Sequence, residues 1–344
     1  MNTLLSYFEK AIEMNASDVH VVAGERPMIR LQGQLQVASE TPVSEVDVKN
    51  ALYDIMSPEQ KKQYEETHDV DMSYEVAGTR FRLNIHQEDG RIGVAARRIP
   101  GVIPGPEELG FDAPIRELSQ LMDGLVLVVG PTGHGKSTTI ASLINEINKT
   151  RKAHIVTIED PIEFIFKDEL CLVEQREVGS DTNSFASALK HVLRQDPDVI
   201  LVGEMRDPET IATALTAAET GHLVFSTLHT SSAAEAIERI VDVFEGAKQK
   251  QVLIQLSTVM RAVVAQQLVP TVDGGLVAAR ELLLHTPAVA NLIRENNISQ
   301  INSVMQTNAK LSMTTMEHVL KTLVEKGMIT QETMEHRLAP QKKI

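Results

Sequence analysis

The chain has 344 residues, a net charge of −14, 42% apolar residues, 3% aromatic residues and no tryptophan. Its length suffices for two domains, or for one large α/β domain with an appendage, and its cores must rest on aliphatic side chains. The acidic balance argues against the nucleic-acid backbone as a partner, since that interaction needs an excess of Lys and Arg.

The N-terminus has no basic stretch followed by an apolar one, so no secretory signal is expected. No run approaches the roughly 18 apolar residues of a spanning helix. A cytoplasmic protein with at most a peripheral membrane role is therefore expected. Leu5, Phe8 and Ile12 fall at helical spacing and predict an opening helix. Ile29, Leu31, Leu35 and Val37 alternate with Arg30, Gln32, Gln34 and Gln36 around Gly33, which predicts a half-buried hairpin. Phe81, Leu83 and Ile85 alternate in the same way, and residues 45–66 between them carry a helical pattern. Residues 1–99 thus read as a small α+β domain.

Between Pro100 and Pro114 the breakers crowd together (Gly101, Pro104, Gly105, Pro106, Gly110), and residues 100–114 read as an interdomain linker. Short apolar runs follow: Leu125 to Val129, Ile155 to Ile158, Val199 to Val202, and Leu223 to Phe225. Strands apolar on both faces belong in a covered parallel sheet, and the helical patterns between them imply βαβ units. Ile140, Leu143, Ile144 and Ile147 carry the first of these helices. Residues 115–285 read as this α/β core, and 286–344 as a helical segment closing in a polar tail. Cys171 is the single cysteine, so neither a disulfide nor a cysteine-based zinc site can form within the chain; a small buried residue is expected there.

Gly130-Pro131-Thr132-Gly133-His134-Gly135-Lys136-Ser137 is a phosphate-binding loop, followed by Thr138. Its glycines let backbone N–H groups turn towards phosphates, Lys136 reaches the β and γ oxygens, and Ser137 offers a hydroxyl to Mg2+. A chance match in a chain this long is about one in a hundred, and the strand before and helix after lower that further. ATP and Mg2+ are the implied cofactors. His134 occupies a free position of the pattern and reads as an exposed loop residue.

Each further apolar run gives way to polar residues: Glu159, Asp160 and Glu163; Glu204, Arg206 and Asp207; Ser226, Thr227 and His229. Ligands of open parallel sheets bind beyond the carboxyl ends of the strands, so these groups should converge on the loop. Glu204 suits the carboxylate near the metal, acting through water. Glu159, Asp160 or Glu163 can position the attacking water. His222 and His229 flank one strand and read as hydrogen-bonding sensors. In the first domain Arg80, Arg82, Arg91, Arg97 and Arg98 are either a solvated strand face or fingers reaching a neighbouring subunit's nucleotide.

These segments together resemble the type II and type IV secretion and pilus ATPases. Ile158 to Glu163 resembles their Asp box, Arg194 to Asp207 their Walker B region, and Thr220-Gly221-His222 with Ser226 to Thr230 their His box. Ser17-Asp18-Val19-His20 extends the likeness into the first domain, so that it covers nearly the whole chain. The resemblance implies a PAS-like domain before a RecA-like P-loop domain, and a homohexamer with arginines such as Arg82 and Arg97 near the nucleotide. It also implies an inner-membrane platform protein as partner, placing the chain at the pilus base. Glu163 would activate water and Glu204 would be the Walker B carboxylate, with Lys136 and His229 beside them and His222 at the nucleotide.

The four-cysteine zinc segment of extension and type II secretion motors is missing. Ala288-Val289-Ala290-Asn291-Leu292-Ile293-Arg294-Glu295 is similar to the retraction signature Ala-Ile-Arg-Asn-Leu-Ile-Arg-Glu, with Ala290 in place of an arginine. Both point to a twitching-motility motor that retracts pili. The alternatives are an accessory retraction ATPase working with a paralogue, an extension or secretion motor, and a DNA-directed RecA-like translocase.

Overall fold

The computed structural model describes residues 3–31, 33–307 and 312–339. The expected Gln32 of the hairpin and the polar tail from Pro340 lie outside the described residues. Two compact units emerge: residues 1–102 with 163–165, and residues 103–162 with 166–344.

The first unit runs α1 (Thr3–Glu13), β1 (Asp18–Val22), β2 (Met28–Leu31), β3 (Gln34–Val37), α2 (Glu45–Ile55), α3 (Pro58–Thr67), β4 (Asp69–Val76), β5 (Thr79–Glu88) and β6 (Arg91–Arg98). Its sheet is antiparallel, in the order β3-β2-β1-β6-β5-β4. Phe8 of α1 stacks on Phe81 of β5 with ring centroids 5.1 Å apart, over a core that includes Val19, Ile29, Leu52, Leu83 and Ile85. The helical pattern of 45–66 divides in two, because Ser57 caps α3 through a capping box with Gln60 and Pro58 opens it. The hairpin turns at Gly33, with φ +81°. One expectation fails here. β3 is exposed along its whole length, Leu35 and Val37 included, because it sits at the sheet edge with a neighbour on one side only.

The second unit opens with α4 (Ala113–Glu117) and a 3-10 turn, then β7 (Gly124–Val129), α5 (Lys136–Thr150), β8 (His154–Glu159), β9 (Leu172–Glu177), α6 (Phe185–Val192) and β10 (Val199–Val202). It continues with α7 (Pro208–Glu219), β11 (Leu223–Leu228), α8 (Ala233–Asp242), α9 (Gly246–Val259), β12 (Met260–Pro270) and β13 (Leu276–Leu284). Four helices close it: α10 (Pro287–Arg294), α11 (Ile301–Thr307), α12 (Met316–Glu325) and α13 (Gln331–Leu338). Pro114 of the expected linker therefore belongs to α4, whose N-cap Asp112 accepts from the Ile115 amide.

The seven-stranded sheet has the order β13-β12-β7-β11-β10-β8-β9 and is parallel except for the β12–β13 hairpin. β7 and β10 are buried at every position, as continuous apolar strands of a covered parallel sheet should be. Each Leu, Ile or Val so buried contributes roughly 1.5–3 kcal/mol. The expected mixed α/β fold is present. Strands β9, β12 and β13 had no counterpart among the expected elements, and they extend the sheet at both edges.

Candidate phosphate site

The central strands β7, β11, β10 and β8 are adjacent and parallel, so their carboxyl ends share one side of the sheet. The loop from Gly130 to Gly135 leaves β7 there and enters α5. Three of its residues need glycine: Gly130, Gly133 and Gly135 have φ of +151°, +79° and +78°. Lys136 is buried, and its Nζ donates to the carbonyls of Gly130 (2.8 Å) and Pro131 (2.9 Å). Ser137 and Thr138 follow it, half-buried, in the first turn of α5.

His229, just beyond β11, joins the loop to the neighbouring strand end. Its Nδ1 lies 3.3 Å from Thr132 Oγ1 and 3.5 Å from Lys136 Nζ, and its Nε2 lies 3.6 Å from Glu204 Oε2. Glu204, two residues past β10, is also paired with Arg206 at 2.8 Å. Thr227 Oγ1 donates to the Gly203 carbonyl at 2.6 Å, and the Gly203 amide donates to the Ile158 carbonyl at 2.8 Å. The three strand ends are thus bonded to one another beneath the functional side chains.

The other expected site residues have the following surroundings. Glu159 is buried and accepts from Thr157 Oγ1 (2.6 Å) and Gln175 Nε2 (3.3 Å), which makes it an internal tie between β8 and β9. Asp160 and Glu163 are exposed, and Glu163 falls in the 163–165 stretch that groups with the first unit. His222 stands elsewhere in this chain. It precedes β11, whereas the loop follows β7, so at about 3.3 Å per residue it stands roughly 20 Å from the phosphate end of the sheet. There its Nδ1 lies 2.9 Å from the Ala217 carbonyl and 3.1 Å from Thr220 Oγ1, closing α7. Arg82 and Arg97 are exposed neighbours across β5 and β6 of the first unit. Arg97 Nε bonds Asp18 Oδ1 at 2.8 Å, and Arg82 approaches Asp71 at 3.9 Å.

His134 is a correction to the expected exposed loop residue. It is half-buried, and its Nδ1 accepts a 3.0 Å hydrogen bond from the Leu268 amide of β12. Burial, then the positive charges of Arg337 and Lys136, lower its pKa. Sequence reasoning also passed over Gln266, Arg280 and Glu281, which are all buried. A polar residue inside an otherwise apolar strand was the available signal, since burying one demands a partner.

Among the described residues no cluster of three or more His, Cys, Asp or Glu could hold a metal by itself. A Mg2+ ion bound at phosphates keeps most of its water and takes few protein ligands, and the half-buried Ser137 hydroxyl and the Glu204 carboxylate are the groups beside the loop able to serve as those.

A glycine-rich loop between a central parallel strand and its helix, with a Glu and a His at the adjoining strand ends, defines a P-loop nucleoside triphosphatase of the RecA-like kind. The type II/IV secretion system protein family matches residues 111–343. The type IV pilus retractation ATPase PilT of Pseudomonas aeruginosa is 48% identical over 321 residues, covering 93% of each chain. PilU, a type IV pilus ATPase of the same organism, is 40% identical over 93% of this chain and 85% of its own. A crystal structure of the pilus retraction motor PilT with bound ADP superposes with a TM-score of 0.91 at 46% identity, over 99% of this chain and 98% of that one. The chain belongs to the type II/IV secretion system protein family, among its PilT-like ATPases.

Proposed function

We propose that this chain is the subunit of a homohexameric motor that hydrolyses ATP to retract a type IV pilus. The observation that carries the reading is the assembly of Lys136, Thr132, His229 and Glu204 at one end of the sheet, in a chain 48% identical to a retraction ATPase. Phosphoryl transfer to water needs positioning and positive charge on the γ-phosphate more than covalent chemistry.

Each residue then has a task. The loop amides and the positive end of α5 hold the phosphates. Lys136 transfers its ammonium from the loop carbonyls to the β and γ oxygens. Glu204, oriented by Arg206, and His229, oriented by Thr132, form a polar wall beside the γ-phosphate. Glu163 is assigned to orient the attacking water, and Arg82 and Arg97 to a neighbouring subunit's nucleotide, on family likeness alone. Mg2+ held by Ser137, and by Glu204 through water, would neutralise phosphate charge. The motor would sit on the cytoplasmic face of the inner membrane against the platform protein; among the described residues no helix is long and apolar enough to cross a membrane.

A second reading, an accessory motor acting with a paralogue, has the PilU likeness in its favour. Purified protein should hydrolyse ATP, and Lys136→Ala should lower kcat at least a hundredfold with an unchanged circular dichroism spectrum. Deleting the gene should leave pili that extend and never shorten. Hydrolysis indifferent to Lys136 would overturn the enzymatic reading, and unimpaired shortening in the deletion strain would overturn the direction.

A further inference from the structure

Strand β12 lies directly against the phosphate loop, and the approach is tightest at Gln266. A Cβ added to Gly130 would come 2.3 Å from the Gln266 carbonyl oxygen, and one added to Gly135 would come 3.0 Å from its Nε2. Gln266 is buried, and its amide makes three hydrogen bonds. Nε2 donates to the His134 carbonyl at 2.7 Å, while Oε1 accepts from Thr139 Oγ1 at 2.7 Å and from Arg280 Nε at 2.8 Å. The amide orientation is forced, because a carbonyl can only accept and a guanidinium can only donate. One side chain therefore grips the loop just before Lys136 and the helix just after it.

Arg280 faces Gln266 directly across the β12–β13 pairing. It is buried, and among the described residues it has no carboxylate within salt-bridge distance. Its Nη1 donates to the Leu109 carbonyl at 2.9 Å, and its guanidinium lies 4.8 Å from the Phe111 ring centroid. Burial pulls its pKa down to about 10, against the attraction of the Asp112 carboxylate. A buried cation whose counter-charge, Asp112, lies beyond salt-bridge distance is costly, so its retention calls for a task beyond packing.

We propose that Gln266 is a positioning residue for nucleotide binding and hydrolysis, holding the phosphate loop through His134 and Thr139, and that Arg280 holds Gln266. This rests on the reading of the loop as an ATP site. Without the amide donor, the His134 carbonyl and the loop amides next to it rotate out of the phosphate-binding arrangement. Loop order then has to be restored at each binding event, which weakens affinity.

The decisive variant is Gln266→Glu. It replaces the donor facing the His134 carbonyl with an acceptor, yet gives Arg280 a carboxylate, so packing and stability are kept while the grip is lost. The expected result is a melting temperature no lower than wild type, with the KM for ATP and the Kd for a fluorescent ADP in Mg2+ both raised about tenfold. A purely structural Gln266 predicts both constants within twofold of wild type, and that outcome overturns the proposal. Gln266→Ala and Arg280→Ala, combined, should weaken ADP binding less than the product of their separate effects; full additivity removes Arg280 from the chain. Wild-type hydrolysis is measured alongside. Protein that binds ADP without hydrolysing ATP sinks the motor reading, while the ADP ratio of Gln266→Glu still decides this one.

Discussion

At the loop, His134 does more than occupy a permitted position. Its Nδ1 must be unprotonated to accept from the Leu268 amide, and burial with Arg337 and Lys136 keeps its pKa below the ordinary 6.5. In acid the unfolded chain therefore binds a proton that the native one resists. Its contribution to stability is complete above the unfolded value and is lost as pH falls through the folded one. His134→Asn places a non-titrating oxygen where Nδ1 stands. Melting temperatures taken between about pH 5.5 and about pH 7.5 should fall less in this variant than in wild type; equal slopes would mean that His134 carries none of the acid sensitivity. The same scale separates carboxylates that look alike in sequence. Glu159 and Glu204 each close an apolar run, but Glu159 is buried and accepts from Thr157 and Gln175, whereas Glu204 faces His229.

Among the elements, the strand-loop-helix of β7 and α5 was legible because its signals are local: an apolar run, glycines, then helical spacing. The β12–β13 hairpin was not, because α9 runs into β12 between Val259 and Met260 with no breaker between them. On β13, Glu281 turns away from its neighbour Arg280 and ties two helices. One oxygen accepts from the Ala233 amide at the start of α8 (2.8 Å), the other from the Met316 amide at the start of α12 (3.1 Å). Burial raises its pKa against the pull of those two amides. Removing the acceptor leaves two buried donors unpaired, at about 1–3 kcal/mol each. Glu281→Ala should thus lower the melting temperature by roughly 5–15 °C, and Glu281→Gln by less, as calorimetry can read; an Ala variant that melts like wild type would remove the tie. Ala290 of the expected retraction signature is buried in α10 with Val289 and Ile293, which is where an apolar residue belongs, while Asn291, Arg294 and Glu295 are exposed.

At the scale of the whole molecule, the exposed Arg82 and Arg97 bear on assembly. If either acts on a neighbouring subunit's nucleotide, Arg97→Ala or Arg82→Ala subunits mixed with Lys136→Ala subunits should hydrolyse ATP faster than either alone, since a finger is worth a thousandfold or more. No gain in mixed rings would confine these arginines to their own sheet, where Arg97 already pairs with Asp18. The sequence by itself determined the phosphate chemistry, the covered parallel sheet and the change of texture near residue 100, because each is written in neighbouring residues. Only the tertiary structure decided that His229 and not His222 meets the loop, and that Gln266 grips it. Those contacts join residues 93 and 132 positions apart. A local pattern says which face of a strand is buried; it cannot say which distant side chain lies across that face.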